Sequence, residues 1–210
     1  MAAPAKAARI PDVVNTKHNL SVSGPGTVKA TVEDEVCVFC HTPHGASNFP
    51  GSPLWNRQLS NQTYTVYTSS SLDAEDIQGS LDQPGGSSKL CLSCHDGTLA
   101  IGTVNVLGGQ QNVNISMTGT AADGTMPAGD GEFTGFTRDL GTDLRNDHPI
   151  SLTYDTNLAN TDTELVDPVS ALHIGVRGPG FRPLVPLETT GAGGAAQVQC
   201  ASCRDPHIRD

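Results

Sequence analysis

The stretch Cys37-Val38-Phe39-Cys40-His41-Thr42-Pro43-His44 decides how this chain is interpreted. Two thiols three residues apart, on one helical turn, can reach the two vinyl groups of one porphyrin. The histidine that follows them lies below the iron, where a neutral imidazole can bind it. The stretch therefore predicts a covalently attached c-type haem on Cys37 and Cys40, with His41 on its iron. His44 is a second imidazole, which points away from that iron.

The motif is repeated twice further along the chain. The second copy is Cys91-Leu92-Ser93-Cys94-His95, and the third is Cys200-Ala201-Ser202-Cys203-Arg204-Asp205-Pro206-His207. The third copy shares the frame of the first, with Arg204 where the iron-binding histidine stands. The three copies use all six cysteines of the chain. We therefore expect about three haems per chain, and at least the two on the complete motifs.

Arg204 leaves three interpretations of the third copy open. A guanidinium stays protonated in proteins and cannot bind iron. Cys200 and Cys203 still hold a haem in the first interpretation, with His207 or another histidine on the iron. They form an oxidised pair without haem in the second. The third takes Arg204 as an error in the sequence record.

Two other uses of the cysteines fit the pattern less well. In a zinc site, each motif would lack a fourth ligand or would have to pair with another motif. A disulfide framework explains an even number of cysteines, but it does not explain the histidines that follow them. Haem accounts for both residue types.

The composition predicts a fold with little regular structure. The hydrophobic fraction is 36% and the aromatic fraction 4%, which is thin for a core of this size, and turn-forming residues are abundant. Buried porphyrins would supply the missing apolar interior. We expect a mostly irregular chain with short helices at the haem motifs and a few short β-strands. Residues 1–17 are predicted to form an extended arm, and residues 18–210 the haem domain.

Several segments carry a local prediction. Residues 63–68 alternate in period two, and residues 98–107 and 112–118 are β-branched, so all three are predicted as strands, the last two joined by Gly108-Gly109. Short helices are predicted after Ser71 and over residues 167–173. Loops are predicted at residues 85–88, 119–147 and 178–196 because they are rich in turn-forming residues.

The charge and the termini exclude some classes of protein. The formal net charge is -10 and no basic stripe is present, which argues against a nucleic-acid partner. No apolar run is long enough to cross a bilayer. Haem is attached to this motif after export, yet residues 1–7 lack the apolar run of a signal peptide. We therefore expect an exported protein whose chain, as given, is a mature or re-started form.

The remaining histidines are candidate ligands for the second axial position of each iron. Seven histidines are present, and two belong to the complete motifs. Met117 and Met126 are alternative ligands, although methionine is more often a packing residue. With histidines in surplus, the inventory favours iron with two histidine ligands, at low potential and closed to substrate. The remaining five are His18, His44, His148, His173 and His207.

These motifs, with Asn146-Asp147-His148-Pro149, resemble the multihaem cytochromes c of the doubled-CxxCH type. Relatives in that group include extracellular tetrahaem cytochromes of metal-reducing bacteria and archaea that polymerise into filaments. The resemblance implies that His18 and His148 are distal ligands. It also implies that His44 and His207 are distal ligands, usually of a different haem, and that one subunit can donate a ligand to its neighbour. The chain departs from the group at Arg204 and at the absence of a fourth motif.

The expected function is electron transfer, not catalysis. Closely packed haems would relay electrons along the chain and between subunits of a homo-oligomer or filament, with redox proteins as partners and an extracellular or cell-surface location. Two rivals remain. The first is an enzyme that reduces a small oxyanion or a peroxide at an open haem, with the Arg204 site as its natural place. The second is a soluble periplasmic electron shuttle.

Overall fold

The computed structural model describes residues 12–72, 81–128 and 138–208. Regular elements are short, and irregular chain connects them. The helices are α1 (Gly86–His95), α2 (Thr156–Asp162) and α3 (Cys200–Cys203), with 3₁₀ turns at Val13–Asn15 and Ala192–Gly194. The strands are β1 (Lys29–Ala30), β2 (Thr103–Leu107), β3 (Gln110–Asn114), β4 (Met117–Thr118), β5 (Leu152–Thr153), β6 (Ile174–Val176), β7 (Val185–Leu187) and β8 (Gln197–Val198). This content is compatible with the expected fold class, but it does not by itself show a cytochrome fold.

The strands pair two by two within the described part of the chain. β2 and β3 form an antiparallel hairpin, and its two turn residues, Gly108 and Gly109, have φ of 56° and 82°. A two-residue turn with positive φ at both positions matches the twist of the strands it joins. The predicted glycine turn is therefore confirmed, although the strands are shorter than the predicted segments. β1 pairs with β4 and β5 with β8, both antiparallel, and β6 pairs with β7 in parallel.

In the described part of the chain, the buried apolar side chains form three small clusters. The first surrounds Phe39 and Val104, and the second joins Tyr64, Leu92 and Leu144. The third, around Leu158, lies in the part of the chain after residue 150. Two of the three clusters therefore include the residues between the cysteines of a haem motif. This arrangement fits an interior that side chains alone do not fill.

Two predicted elements are wrong, and the reasons are local. Residues 63–68 form no strand, because the side chain of Gln83 makes both hydrogen bonds to the backbone of Tyr64, and Thr65 makes only an isolated bridge to Asp143. The helix predicted from Asp167 is a single turn, closed by the Ala171 amide on the Asp167 carbonyl. The helix predicted after Ser71 falls on residues 73–80, outside the described residues.

Other elements form where the sequence predicts a loop or gives no signal. Helix α1 begins at Gly86, inside a predicted loop, because the Glu188 carboxylate accepts a hydrogen bond from the Ser87 amide. β6 and β7 lie in a Gly- and Pro-rich region, where tertiary contacts decide the pairing. Helix α2 is capped by Asp155, whose side chain accepts a hydrogen bond from the Leu158 amide.

Residues 12–17 of the predicted arm are docked and not extended. The Asp12 amide donates to the His207 carbonyl at 2.6 Å, and the Thr16 hydroxyl lies 3.1 Å from the Pro206 carbonyl. The N-terminal segment therefore lies against the third motif. The arm up to residue 11 is outside the described residues.

Candidate haem-attachment sites

The first motif forms one helical turn held by a neighbouring asparagine. The amides of Cys40 and His41 both donate to the Cys37 carbonyl, at 3.2 and 2.8 Å. Asn56 then holds the turn from outside, because its side-chain amide donates to the Val38 carbonyl and its backbone amide to the Cys40 carbonyl. Both thiols and the His41 ring are thereby presented from one short turn.

The ring of His41 is fixed by a backbone carbonyl. Its Nδ1 lies 2.5 Å from the Pro53 carbonyl oxygen, and Trp55 meets the ring edge-on at a centroid distance of 6.3 Å. A carbonyl only accepts hydrogen bonds, so Nδ1 carries the proton and Nε2 presents a lone pair. Histidines that bind metals donate their other ring N–H in this way.

His207, from the third motif, is brought to His41. The centroids of the two rings are 6.1 Å apart and the ring planes differ by 16°. Asp205 accepts a hydrogen bond from Nδ1 of His207 at 3.0 Å. His41 and His207 thus each have Nδ1 facing an acceptor, which in a neutral ring leaves Nε2 with the lone pair.

The second motif occupies the last residues of α1 and repeats this arrangement. Nδ1 of His95 lies 2.6 Å from the Arg138 carbonyl oxygen, and the ring centroid of His18 is 6.2 Å away, with the planes at 60°. Burial lowers the pKa of His95 against the opposing effects of the Arg138 carbonyl and two carboxylates. The ring is therefore neutral, as a metal ligand must be.

The spacing of both histidine pairs suits a shared metal ion. With metal–nitrogen bonds of about 2.0 Å, two imidazoles on opposite sides of one ion have centroids about 6.3 Å apart. Rings that merely touch can have similar centroid distances. The Nδ1 atoms of His41, His95 and His207, which face acceptors, distinguish the two cases, because in a neutral ring they leave Nε2 deprotonated. The donor set therefore fits the two axial positions of a haem iron.

No group of three or more His, Cys, Asp or Glu side chains converges on a metal position in the residues that the structure describes. A zinc site built from the protein alone needs three or four such ligands. A haem iron needs only two protein ligands, since the porphyrin supplies the other four. The two histidine pairs meet that smaller requirement.

The third motif is docked onto the second. Helix α3 begins with Cys200, whose amide donates to the Ser88 hydroxyl, and the Ala201 amide donates to the Ser87 hydroxyl. The thiols of Cys200 and Cys91 interact, which lowers the pKa of Cys200 to about 7 and raises that of Cys91. The two attachment helices therefore meet at their first cysteines.

The thiols of the first two motifs are also close to each other. Burial, and then the Cys94 thiol, raise the pKa of Cys40 to about 12. No disulfide joins any two of the six cysteines. The thiol of Cys94 thus affects the pKa of Cys40, and the thiol of Cys200 that of Cys91, so each Cys-x-x-Cys motif lies near the next one.

The other proposed ligands are spread over the surface. His44, His148 and His173 are exposed, and none is brought into ring contact with a motif histidine. His148 is near enough to Cys200 for its charge to contribute to the lowered pKa of that thiol. Arg204 and Cys203 are exposed. The charge of His148 thus reaches Cys200 of the third motif, while His207 of that motif faces His41.

Sequence reasoning missed the residues that orient these rings. Pro53 and Arg138 act through their carbonyl oxygens, so their side-chain types carry no signal. Arg57 is buried between the first two motifs, and nothing in its sequence context marks it. Only the three-dimensional structure shows that these positions belong to the site.

No protein-family model matches this chain, and no curated protein matches it. Within the described ranges, no helix is long and apolar enough to cross a membrane. The motifs and the histidine geometry are therefore the basis of the functional argument.

Proposed function

We propose that this protein is an electron carrier that holds covalent c-type haems on its Cys-x-x-Cys motifs. His41 and His207 are the axial ligands of the haem on Cys37 and Cys40. His95 and His18 are the axial ligands of the haem on Cys91 and Cys94. The observation that carries the proposal is the pairing of each motif histidine with a second imidazole, at 6.1 and 6.2 Å between centroids.

In this proposal, the residues of the chain bind the haems and orient the imidazoles that bind the iron. Haem supplies one-electron chemistry between the ferric and ferrous states. The carbonyls of Pro53 and Arg138 fix the motif rings, and Asp205 orients His207. With two imidazoles per iron, no open position is left for a substrate. The two sites therefore suit electron transfer.

The contacts between motifs support a relay. Cys40 interacts with Cys94, and Cys91 with Cys200, so successive attachment sites adjoin. Electrons tunnel efficiently only between cofactors whose edges lie close together. Attachment motifs that lie near each other therefore suit a relay. A haem on the third motif would extend the series towards the surface, where Cys203 is exposed.

The relay continues between subunits of an extracellular homo-oligomer or filament. Exposed apolar side chains in one region of the chain support this part of the proposal, because such surface is typical of protein contacts. They are Val166 (61% exposed), Val169 (84%), Leu172 (79%), Val176 (42%) and Leu184 (46%). Electron microscopy of native material tests this part, and monomers alone at high concentration would contradict it.

The central test is a haem count with a spectrum. The intact mass of the purified chain gives the number of covalent haems, and at least two are expected. The electronic spectrum of the first two should be low-spin. A chain from which acid–acetone extraction removes all colour would overturn the proposal.

A second candidate is reduction of a small oxyanion or a peroxide at the third site. His207 faces His41, so it is not placed to close an iron held by Cys200 and Cys203. Arg204, exposed beside that site, would attract an anion. A high-spin fraction that shifts on addition of nitrite or peroxide tests this candidate, and a fully low-spin, unresponsive spectrum argues against it.

A further inference from the structure

One threonine joins the two segments that carry the proposed second axial ligands. The Thr16 hydroxyl accepts a hydrogen bond from the His18 amide at 3.2 Å, and it lies 3.1 Å from the carbonyl of Pro206, the residue before His207. The Asp12 amide reinforces this contact by donating to the His207 carbonyl at 2.6 Å. The rings of His18 and His207 face the motif histidines of the second and the first motif. The backbones beside these two ligands therefore meet at a single hydroxyl group.

A purely local role for this hydroxyl does not account for all of its contacts. Thr16 follows the 3₁₀ turn Val13–Asn15, and its backbone amide donates to the Val13 carbonyl at 3.0 Å. The hydroxyl lies 3.0 Å from the same carbonyl, so it also caps the turn. A cap of this kind can face solvent, whereas Thr16 is only 7% exposed and reaches Pro206, 190 positions further along the chain. The turn alone does not explain this second contact.

The chain is held firmly on both sides of the contact. Asn19 is fully buried; its backbone amide donates to the Thr16 carbonyl at 3.1 Å, and its side-chain amide donates to the Val14 carbonyl at 2.9 Å. On the other side, Asp205 accepts hydrogen bonds from the backbone amide and from Nδ1 of His207, each at 3.0 Å. A displacement at Thr16 is therefore transmitted to both histidines, because no loose chain lies between them and the contact.

We propose, resting on the haem assignment above, that Thr16 is a positioning residue that couples the second axial ligands of the first two haems. A group that holds a metal ligand in place strengthens the bond to the metal, and its loss typically weakens that bond about 10- to 100-fold. Thr16 holds the backbone beside both ligands, so it acts on two irons at once. The coupling keeps both irons closed to exogenous ligands, as electron transfer without substrate chemistry requires.

The experiment is a cyanide titration of the ferric holoprotein, with haem loading checked by mass. Cyanide must displace one imidazole to bind the iron, so its affinity measures how firmly that imidazole is held. In Thr16→Val, which keeps the shape and removes the hydroxyl, the cyanide affinity of both haems should rise on the order of tenfold. Thr16→Ser keeps the hydroxyl and should stay close to the wild-type values. Thr156→Val removes a hydroxyl that binds Asp167 in helix α2, and it should change neither haem.

Two alanine variants identify the haems in this titration. His18→Ala removes only the proposed imidazole of the second site, and His207→Ala only that of the first, so each should bind cyanide tightly at one haem. Both variants leave the backbone contact through Thr16 in place. A higher affinity at both haems, with both imidazoles still present, is therefore the result that distinguishes coupling from the loss of a single ligand.

The outcomes separate the two proposals. Absence of covalent haem in the wild-type chain overturns the haem assignment itself. With haems present, a fully loaded Thr16→Val variant in which one haem or neither binds cyanide more tightly overturns the role of Thr16. If Thr16→Val does not fold, amide hydrogen exchange of the wild-type holoprotein decides. The amides of Asp12, His18 and His207 should open with one free energy, as members of one cooperative unit do, and unequal values contradict the coupling.

Discussion

The ring centroids of His18 and His95 lie 6.2 Å apart, although one histidine precedes the first motif and the other ends the second. His95 is held from behind by the Arg138 carbonyl, and its burial keeps it neutral. The centroid distance is the one that two ligands of a single ion would have, which is why we propose His18 as the second ligand of the haem on Cys91 and Cys94.

Removing the His18 imidazole should open the second site. In His18→Ala, we expect the haem count by mass to stay the same and one haem to become high-spin, because its iron keeps only His95. The electronic spectrum of the ferric protein measures this. His173→Ala is the control, since His173 is also exposed and lies in no ring contact. A fully low-spin His18→Ala variant would show that another ligand closes this site.

Substitutions of the two histidines in the repeated Pro-His frame should have different effects on the spectrum. His44 and His207 occupy the same place in their motifs, but only His207 is brought to the His41 ring. His207→Ala should give one high-spin haem, and added imidazole should return it to the low-spin state. His44→Ala should leave the spectrum unchanged. Equal effects of the two substitutions would contradict the pairing of His41 with His207.

Restoring the missing motif histidine should increase haem attachment at the third motif. Attachment depends partly on recognition of that histidine, so we expect Arg204→His to raise haem loading at Cys200 and Cys203, seen as a higher average mass. Arg204→Lys keeps the charge without offering an imidazole and is the matched control. If Arg204→His changes neither the haem count nor the spin state, Arg204 is not a degraded ligand position.

The part of the chain after residue 150 should be stabilised by side-chain packing. Leu158 is fully buried against Tyr154 and Leu187, whereas Val32 is 79% exposed and lies outside the apolar surface proposed for subunit contacts. Leu158→Ala should lower the free energy of unfolding by about 2–5 kcal/mol, and Val32→Ala by less than about 0.5 kcal/mol. Guanidinium denaturation of the holoprotein measures both. A similar loss in the two variants would show that α2 is not packed as described.

The hydrogen bonds to Asp96 predict how stability changes in acid. Burial would raise the pKa of Asp96, but hydrogen bonds from Ser60, Tyr64 and Thr98 outweigh it and hold the pKa below its usual value. A lowered pKa in the folded state stabilises the protein above the unfolded pKa, and this contribution is lost as the pH falls through the folded pKa.

Tyr64→Phe removes one of these donors, so the folded pKa of Asp96 should rise and acid unfolding should begin at higher pH. Circular dichroism between about pH 2 and 6 follows the transition. Tyr67→Phe, at a partly exposed tyrosine, is the control and should not move it. An unchanged acid transition in Tyr64→Phe would show that this hydrogen bond does not lower the pKa of Asp96.

Local chemistry could be predicted from the sequence, and long-range placement could not. The Cys-x-x-Cys spacing and the Gly108-Gly109 turn are decided within a few residues, so the motifs and the hairpin follow from the sequence. The identity of the residue opposite His41 depends on how residues 12–18 and 205–207 dock, which no local pattern encodes. The burial of Arg57 could not be predicted either, because the residues next to it in the sequence do not distinguish a buried arginine from an exposed one.

The docking of the N-terminal segment onto the third motif has a consequence for biogenesis. Because Asp12 and Thr16 contact His207 and Pro206, the first site to be synthesised is among the last to be completed. Its cysteines are synthesised early, but His207, which provides the second imidazole, follows only after some 160 further residues. A contact between residues so far apart in the sequence forms slowly. If the first motif carries the proposed haem, its iron would have His41 as its single imidazole ligand until the later segment folds back.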